Sequence, residues 1–242
     1  YLNKEIGETP LECMERWQKD HPEYAGVPMT YAGRLDPMAD GVLLVLTGEE
    51  CKNKAKYLGL NKEYEVEILF GVATDTFDIL GKIISDSSQI TGQIQISKIR
   101  EELEKMKGKF LQEYPMYSSK TVLGRQLHDY ARNAEIPDEM PSKEVEILEI
   151  QWLGEKYIEE RELLSTIEER IFKVKGDFRQ EEILNLWRAT LKEDQKFLII
   201  KIKVTCSSGT YMRSLANNLG NKFGIPSLAF SIKRTRVGEF KI

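Results

Sequence analysis

Apolar residues recur along the chain with two periods, one typical of strands and the other typical of helices. Over residues 64–70 and 200–206 they occupy every second position with mostly polar residues between them, which predicts two strands with one wet face each. Helical spacing over residues 10–20 and 211–223 predicts two helices that bury one face. Because strands and helices mix without a regular β–α–β rhythm, the pattern favours an α+β fold.

The middle of the chain carries shorter or less regular patterns. Residues 42–46 form a brief apolar run that is typical of a buried strand, and residues 145–152 alternate but change parity, which predicts a bulge. Ser97 is a candidate N-cap for a helix whose apolar face continues to Phe110. Two stretches of helical spacing within residues 155–195 predict a pair of helices there.

Length and composition exclude several classes of protein. The chain has 242 residues, of which 41% are hydrophobic and 31% are charged, so it can bury a core and is not a disordered tail. It has no apolar run of about 18 residues, so we expect no membrane partner. The three cysteines, Cys13, Cys51 and Cys206, have no metal-ligand spacing, and their odd number favours a reduced, cytoplasmic protein.

The distribution of charge is more informative than its sum. The 35 Lys and Arg residues and the 39 Asp and Glu residues give a net charge of -4, which by itself argues against a nucleic-acid partner. Residues 196–242, however, hold 9 basic residues and 1 acidic residue, whereas residues 135–195 hold 9 and 17. This asymmetry indicates a polyanion partner, although a solvated basic helix and tail would explain it equally well.

The segment 33–43, GRLDPMADGVL, carries the most unusual chemistry. Pro37 disfavours a helical conformation at Asp36, so Asp36 is expected on a rigid loop that precedes a buried strand. Catalytic side chains often occupy such loops. An Asp before Pro is also a common turn residue, and composition alone favours that structural role.

Five motifs, in order, resemble those of the TruB family of pseudouridine synthases. Residues 32–52, AGRLDPMADGVLLVLTGEECK, resemble the central motif. The other four are NK followed by Gly7, KEY at 62–64 with GVATDTFD at 71–78, YPMYSSK at 114–120 with Gly124 to Arg132, and CSSGTYMRSL at 206–215 with Leu228 and RTRVGEF at 234–240. The resemblance covers the chain apart from residues 155–195, and five ordered motifs are far more specific than a single short one.

The resemblance implies the pseudouridine synthase fold, with a mixed, mainly antiparallel central sheet flanked by helices and loops. It also implies a tRNA substrate, in which a uridine of the T loop is isomerised to pseudouridine. The N1–C1′ bond breaks, the base turns and it rejoins the sugar through C5. The base must leave its stack, which costs a few kcal/mol. No metal and no organic cofactor are implied.

The same resemblance assigns roles in a uridine pocket. It makes Asp36 the essential catalytic carboxylate and Arg213 the cation that keeps it ionised and oriented. It makes Tyr64 the residue that stacks on the flipped uracil, and it places Tyr211 and Leu228 in the lining of the same pocket. Each of these residues would otherwise have an ordinary role in the core or on a helix surface.

Further residues are implied to contact RNA. Asp78 resembles a residue involved in base flipping, and a turn residue is an equally good reading of it. Tyr31 stands where bacterial members usually have His, and it offers a comparable aromatic face. Six cations would contact phosphates or support the site: Lys4, Lys120, Arg125, Arg132, Arg234 and Arg236.

The chain departs from the family pattern at residues 155–195. This stretch holds 8 basic and 11 acidic residues, so we expect RNA to repel it and expect it to point away from the site or to bind another protein. We expect one catalytic domain over residues 1–242, acting as a monomer, without the complete PUA domain that bacterial members carry after it. We also expect Lys201, Lys203, Arg213, Arg234 and Arg236 to lie nearer Asp36 on average than the acids of 155–195 do.

Two other functions are compatible with these residues. One is a non-catalytic RNA-binding or tRNA-folding protein that has kept the pocket. The other is a carboxylate-dependent N-glycoside hydrolase, which breaks the same type of bond and would release free uracil.

Overall fold

The chain folds around an eight-stranded sheet, seen in a computed structural model that describes residues 1–87 and 95–242. The strands are β1 Leu2–Lys4, β2 Met29–Tyr31, β3 Ala39–Leu43, β4 Val45–Thr47, β5 Lys62–Phe70, β6 Val72–Thr74, β7 Ile83–Asp86, β8 Gly108–Glu113, β9 Thr121–Val122, β10 Arg125–Gln126, β11 Ser142–Glu159, β12 Lys196–Cys206, β13 Ser227–Val237 and β14 Phe240–Lys241. The helices are α1 Pro10–Lys19, α2 Lys54–Leu58, α3 Ile96–Lys105, α4 Leu127–Arg132, α5 Glu160–Phe172, α6 Gln180–Thr190 and α7 Met212–Asn221, with short 3-10 helices at Pro22–Tyr24 and Gly48–Asn53.

The strand order in the large sheet is β1-β3-β13-β5-β12-β11-β8, and β14 pairs with β13. Among the strand pairs that the structure describes in this sheet, β13 with β3 is parallel and the others are antiparallel. The sheet is therefore mixed and mainly antiparallel, as the sequence predicts. The parallel pair has a functional consequence, because it places the start of β3, and with it the Asp36 loop, beside the last long strand.

Helices cover both faces of this sheet. The face that carries Tyr64, called the site face below, packs against α3 and α7 through a buried cluster that includes Leu103 and Leu215. The opposite face carries Leu69 and packs against α5 and α6, called the helical pair below, through Ile167 and other buried residues. The burial of apolar side chains on both faces explains why β5 and β12 hold the centre of the fold.

Most of the predicted elements are present, with local differences. β5, β12, α1 and α7 lie where their periodicities predict, and β11 has register irregularities between Ile147 and Glu149 and between Trp152 and Gly154. The helix predicted from Ser97 is wrong at both ends, because Gln95 is its N-cap and it ends at Lys105. Gly108, at a φ of +97°, begins β8, so Phe110 lies on a strand.

The short apolar run at residues 42–46 also divides. Its first part belongs to β3 in the large sheet, and its second part belongs to β4, which pairs with β2 in a separate two-stranded sheet. This change of sheet brings β2, and Tyr31 at its end, to the rim of the region in which Asp36 lies.

β13 is the central strand that the sequence patterns do not predict. Its register against β5 shifts between Ala229 and Ser231, which is a β-bulge. Because of the bulge, a residue before it and a residue after it that are an even number of positions apart lie on opposite faces of the sheet. Leu228 packs in the cluster under the helical pair, whereas Ile232 packs in the cluster of the site face.

The helical pair is an integral part of the core. Residues 155–159 continue β11, and the two predicted helices follow them. Ile167, Ile171, Ile183 and Trp187 are completely buried. In the part of the chain that the structure describes, none of the helices combines the length and hydropathy needed to cross a bilayer.

Candidate active site

A cleft of about 1030 Å³ opens on the site face at the loop that carries Asp36. The 33–37 loop, the 75–78 turn, the 117–119 loop and the start of α7 meet there. A volume of this size exceeds that of most small-molecule pockets and is sufficient for a nucleotide.

The N-terminal strand supports the Asp36 loop from behind. The Gly7 amide donates to the Pro37 carbonyl at 2.8 Å. The completely buried ammonium of Lys4 donates to the carbonyls of Ala39 at 2.6 Å and Glu5 at 2.8 Å. Burial lowers the pKa of Lys4 to about 8. Lys4 therefore supports the site, because a buried side chain with these partners does not reach a phosphate.

Arg234 holds the same loop from the side of β13. It is 1% exposed, and its guanidinium donates to the carbonyls of Val42 at 2.7 Å, Arg34 at 3.1 Å and Gly33 at 3.3 Å. The approach of the two strands requires Gly41, because a Cβ there would collide with the Arg234 backbone. Of its two predicted roles, Arg234 therefore has the supporting one.

Arg213 forms the centre of the site. Its Nε donates to Oδ2 of Asp36 at 2.7 Å, its Nη1 to the Thr76 carbonyl at 2.7 Å and its Nη2 to the Tyr117 carbonyl at 3.0 Å. Burial lowers the pKa of Arg213, but Asp36 and the nearby Asp78 outweigh burial and raise it. The guanidinium is 3% exposed and Asp36 is 39% exposed, so the carboxylate faces the cleft while its partner lies in the wall.

Asp78 shares the same guanidinium from within the wall. Its Oδ2 lies 3.8 Å from the Arg213 Nε, and its Oδ1 accepts hydrogen bonds from the Thr76 hydroxyl at 2.7 Å and the Leu80 amide at 2.9 Å. Burial raises the pKa of Asp78 to about 6. Two carboxylates therefore flank one cation, and the one that faces the cleft is Asp36.

Aromatic side chains line the cleft as predicted. Tyr64, on β5, is 9% exposed and borders the space in front of Asp36. Tyr211 is the N-cap of α7, and its backbone is held by Gln112, which accepts from the Tyr211 amide at 2.8 Å. Tyr31 lies at the rim, with the Lys54 ammonium 5.3 Å from its ring centroid.

The prediction that Leu228 lines the pocket is not supported by its position. Leu228 is completely buried under the helical pair, and Ile232 lines the cleft beside Tyr64. The bulge in β13 is the physical reason, because it reverses which residues face each side of the sheet.

The four candidate cations that reach the surface are distributed unevenly. Arg132 is exposed and lines the cleft. Three others lie outside it: Lys120 has its ammonium over the ring of Tyr114, Arg125 pairs with Glu135 and Arg236 pairs with Glu63.

The basic segment is divided between the Asp36 loop and the opposite face of the sheet. Arg213 and Arg234 lie at the Asp36 loop, as expected. Lys201 and Lys203 project from the face opposite Tyr64, where they pair with Glu65. Of the two expectations for the acidic stretch, the first, that it points away from the site, is wrong for residues 177–179, which line the cleft. The second, that it binds another protein, stays a prediction.

Arg179 and Tyr117 also line the cleft, although the sequence motifs predict no role for either side chain. Arg179 comes from the loop between the two helices of the helical pair, and Tyr117 comes from the 114–120 motif. Arg179 reaches the site because the core under the helical pair fixes the loop there, which is a tertiary effect. Among the described residues, no group of three or more His, Cys, Asp or Glu side chains has a geometry that suits a metal ion.

Comparison with solved structures defines the class of fold. The structure matches the crystal structure of a Cbf5-Nop10-Gar1 complex with a TM-score of 0.57 and 18% identity, over 99% of this chain and 48% of that one. It matches the structure of an H/ACA RNP bound to a substrate RNA containing 2'-deoxyuridine with a TM-score of 0.56 and 17% identity, over 99% and 47%. The chain thus shares its fold with the matched chains of these complexes and spans about half of their length.

Sequence comparison then defines the family. The model for the TruB family pseudouridylate synthase (N terminal domain) matches residues 28–171. The tRNA pseudouridine synthase B of Endomicrobium trichonymphae is 31% identical over 242 residues, which is 100% of this chain and 85% of that protein. That of Latilactobacillus sakei subsp. sakei is 29% identical over 242 residues, 100% of this chain and 67% of that protein. The chain belongs to the TruB family, and these findings support an enzyme that isomerises uridine to pseudouridine in tRNA.

Proposed function

We propose that the chain isomerises a uridine in the T loop of tRNA, with Asp36 as the catalytic carboxylate. The observation that carries the proposal is the pair formed by Asp36 and Arg213, at 2.7 Å, on the wall of a cleft that aromatic side chains border. The buried guanidinium orients the Asp36 carboxylate through a charge-assisted hydrogen bond, and the exposure of the carboxylate leaves it accessible to a nucleotide.

The reaction needs a carboxylate that is charged and oriented before the base arrives. The N1–C1′ bond breaks, the uracil turns, a C5–C1′ bond forms, the C5 hydrogen leaves to solvent and N1 gains a proton. Asp36 can attack C1′, or it can remove the C2′ proton to give a glycal. Both routes begin from the ionised carboxylate that Arg213 holds by a charge-assisted hydrogen bond.

The uridine must enter the cleft as a flipped nucleotide. Extrusion from the stack costs a few kcal/mol, which aromatic contacts in the pocket can offset. Tyr64 and Tyr211 border the space next to Asp36, and we infer that Tyr64 stacks on the extruded uracil. Tyr31 and Arg132, at the rim, then contact the loop around it. Asp78 also lines the cleft but is only 5% exposed, and we infer that it acts through Arg213.

The direct test is release of tritium from a T stem-loop transcript labelled at uridine C5. Wild type should release tritium and leave pseudouridine in the RNA, and Asp36→Asn should release none. An anticodon stem-loop of equal length tests the choice of loop. No release from wild type, or undiminished release from Asp36→Asn, would contradict the proposal. Free uracil among the products would identify a hydrolase, and tight binding without product would identify an RNA-binding protein.

We also infer that the chain is a monomer of one catalytic domain that works in a reducing compartment such as the cytoplasm. Cys13, Cys51 and Cys206 are free thiols, which supports the reducing compartment. Light scattering on the eluted protein tests the first point, since a dimer mass would contradict it.

A further inference from the structure

The helical pair sends one side chain into the cleft. Arg179 lies in the loop before α6, and its guanidinium is about one quarter exposed. Its Nη1 donates to Oδ2 of Asp75 at 2.7 Å, and its guanidinium carbon lies 4.6 Å from the ring centroid of Tyr117. Arg179 therefore bridges two segments of the site, the 75–78 turn and the 117–119 loop.

The two partners of Arg179 also contact each other. The Tyr117 hydroxyl donates to Oδ2 of Asp75 at 3.1 Å. Burial and the charge of Asp75 raise the pKa of Tyr117 to about 12, so the hydroxyl keeps the proton that it donates. Asp75 is also fixed by the Lys82 amide, which donates to its Oδ1 at 2.8 Å. The three side chains form one connected group.

The same two segments hold Arg213. Its Nη1 donates to the carbonyl of Thr76, the residue after Asp75, and its Nη2 donates to the carbonyl of Tyr117. The hydrogen bonds from Arg213 to backbone carbonyls are therefore made to the two segments that Arg179 ties together. The path from Arg179 to Asp36 is short and passes through Tyr117 and Arg213.

Two further features hold Arg179 in this position. Its backbone has a φ of +65°, a left-handed conformation that few residues other than glycine adopt, and such outliers cluster at functional sites. One turn into α6, Glu182 pairs with Lys82 at 2.6 Å, which ties the helix to the far end of the same turn.

We propose that Arg179 is a positioning residue for catalysis, which the helical pair supplies in order to hold the 75–78 turn against the 117–119 loop and so to orient Arg213 toward Asp36. The inference rests on the proposed function and adds to it a role for the stretch that departs from the family pattern. Arg179 acts through Arg213 and not by direct contact with the reacting atoms.

The test compares Arg179→Met with Arg188→Met. Both remove one guanidinium from the helical pair, but Arg188 pairs with Glu168 between the two helices on an exposed surface. We expect Arg179→Met to lower kcat by about tenfold or more with KM changed by less than about twofold, because misplaced groups slow the chemical step. Arg188→Met should leave both constants within about twofold of wild type, and Arg179→Lys should recover part of the lost kcat.

Loss of folding is separated from loss of positioning by Arg179→Gly. Glycine adopts the left-handed conformation without strain, so this variant should keep the Tm of wild type and still show the lowered kcat. A second readout is independent of activity. The ¹H–¹⁵N signal of Arg213 Nε, assigned by its absence in Arg213→Lys, should shift or broaden in Arg179→Gly and remain unchanged in Arg188→Met.

The outcomes separate this inference from the proposed function. A raised KM with unchanged kcat would overturn the inference, since it would make Arg179 a direct RNA contact. Wild-type constants in Arg179→Gly would overturn it as well. If wild type itself forms no pseudouridine, the proposed function fails, and an Arg213 Nε signal that Arg179→Gly leaves unchanged would then overturn the inference separately.

Discussion

At the scale of single residues, the site depends on two buried arginines with different partners. Arg213 faces carboxylates and orients Asp36, whereas Arg234 faces backbone carbonyls and holds the loop on which Asp36 lies. Both are almost completely buried. In both side chains each guanidinium nitrogen donates to an oxygen acceptor, which makes the burial of the charge tolerable.

Asp78 should make the stability of the protein depend on pH in a definite direction. Its pKa rises from 3.8 to about 6 on folding, so its stabilising contribution is complete below the unfolded value and is lost as the pH rises through about 6. Asp78→Asn removes this dependence and keeps an oxygen for the Thr76 and Leu80 donors. The unfolding free energy of the variant minus that of wild type should therefore be about 2 kcal/mol larger at pH 7.5 than at pH 4.5.

Urea denaturation of wild type and Asp78→Asn at both pH values measures this difference. We expect the unfolding free energy of wild type to fall, relative to that of Asp78→Asn, as the pH rises. An equal difference at the two pH values would mean that Asp78 is already ionised at the lower one.

Arg234→Met should destabilise the protein because it leaves the buried Val42 carbonyl and the partly buried carbonyls of Arg34 and Gly33 without their donor. We expect a loss of about 3 kcal/mol or more of unfolding free energy. Arg236→Met is the matched control, two residues along the same strand, since Arg236 is about one third exposed in its pair with Glu63 and should matter by less than about 0.5 kcal/mol. Equal effects of the two substitutions, measured by thermal and urea unfolding, would contradict this role of Arg234.

The sequence alone identifies many of the residues that form the site, but it does not show which of them are buried. The GRLDPMADG segment marks Asp36 because Pro37 restricts the backbone locally. Nothing local to Lys4 or Arg234 shows that each is enclosed, because their burial is created by strands far away in the chain. Arg179 is hidden for the same reason.

At the scale of elements, the bulge in β13 decides which side chains meet the substrate. Leu228 and Ile232 are four residues apart, and in a regular strand they would share a face. The bulge puts Leu228 in the core under the helical pair and Ile232 in the cleft. The regular alternation of β5 and β12 could be predicted because both strands lack such an interruption along their central residues.

The bulge predicts different outcomes for two similar truncations. Leu228→Ala should lower the unfolding free energy by about 3 kcal/mol and leave kcat/KM of the folded enzyme within about twofold of wild type. Ile232→Ala should lower kcat/KM by about tenfold, because it removes a wall of the uridine pocket. The pair is measured by urea unfolding and by tritium release, and the same pattern of effects for both truncations would mean that β13 has regular alternation.

At the scale of the whole molecule, charged side chains from one segment of the chain lie on both faces of the sheet. The charge of a segment therefore does not give the charge of a face. The basic segment contributes Arg213 and Arg234 to the site face but Lys201 and Lys203 to the opposite face. The acidic stretch covers part of that opposite face and sends Arg179 to the cleft. The fold class followed from periodicity, but this partition could not, because it depends on how the strands are ordered.

Binding of RNA should therefore depend on cations of the cleft and not on net charge. Arg132→Met removes an exposed cation at the cleft and should weaken T stem-loop binding and reduce the slope of log K against log salt by about 1. Lys201→Met removes one from the opposite face, where it pairs with Glu65, and should leave the slope unchanged. Filter binding over a series of salt concentrations measures both, and the same reduction in slope for both variants would contradict the partition.

The contacts around Asp36 also impose an order in time. Asp36 and Arg213 are separated by 177 positions, and Arg234 holds the backbone of a residue 200 positions before it. At about 5–20 residues per second, the ribosome needs roughly 10 to 40 s to make the intervening chain. During that interval the growing polypeptide carries the catalytic aspartate without the arginines that orient it, so the enzyme becomes competent only when its last long strand has been released and has inserted between β3 and β5.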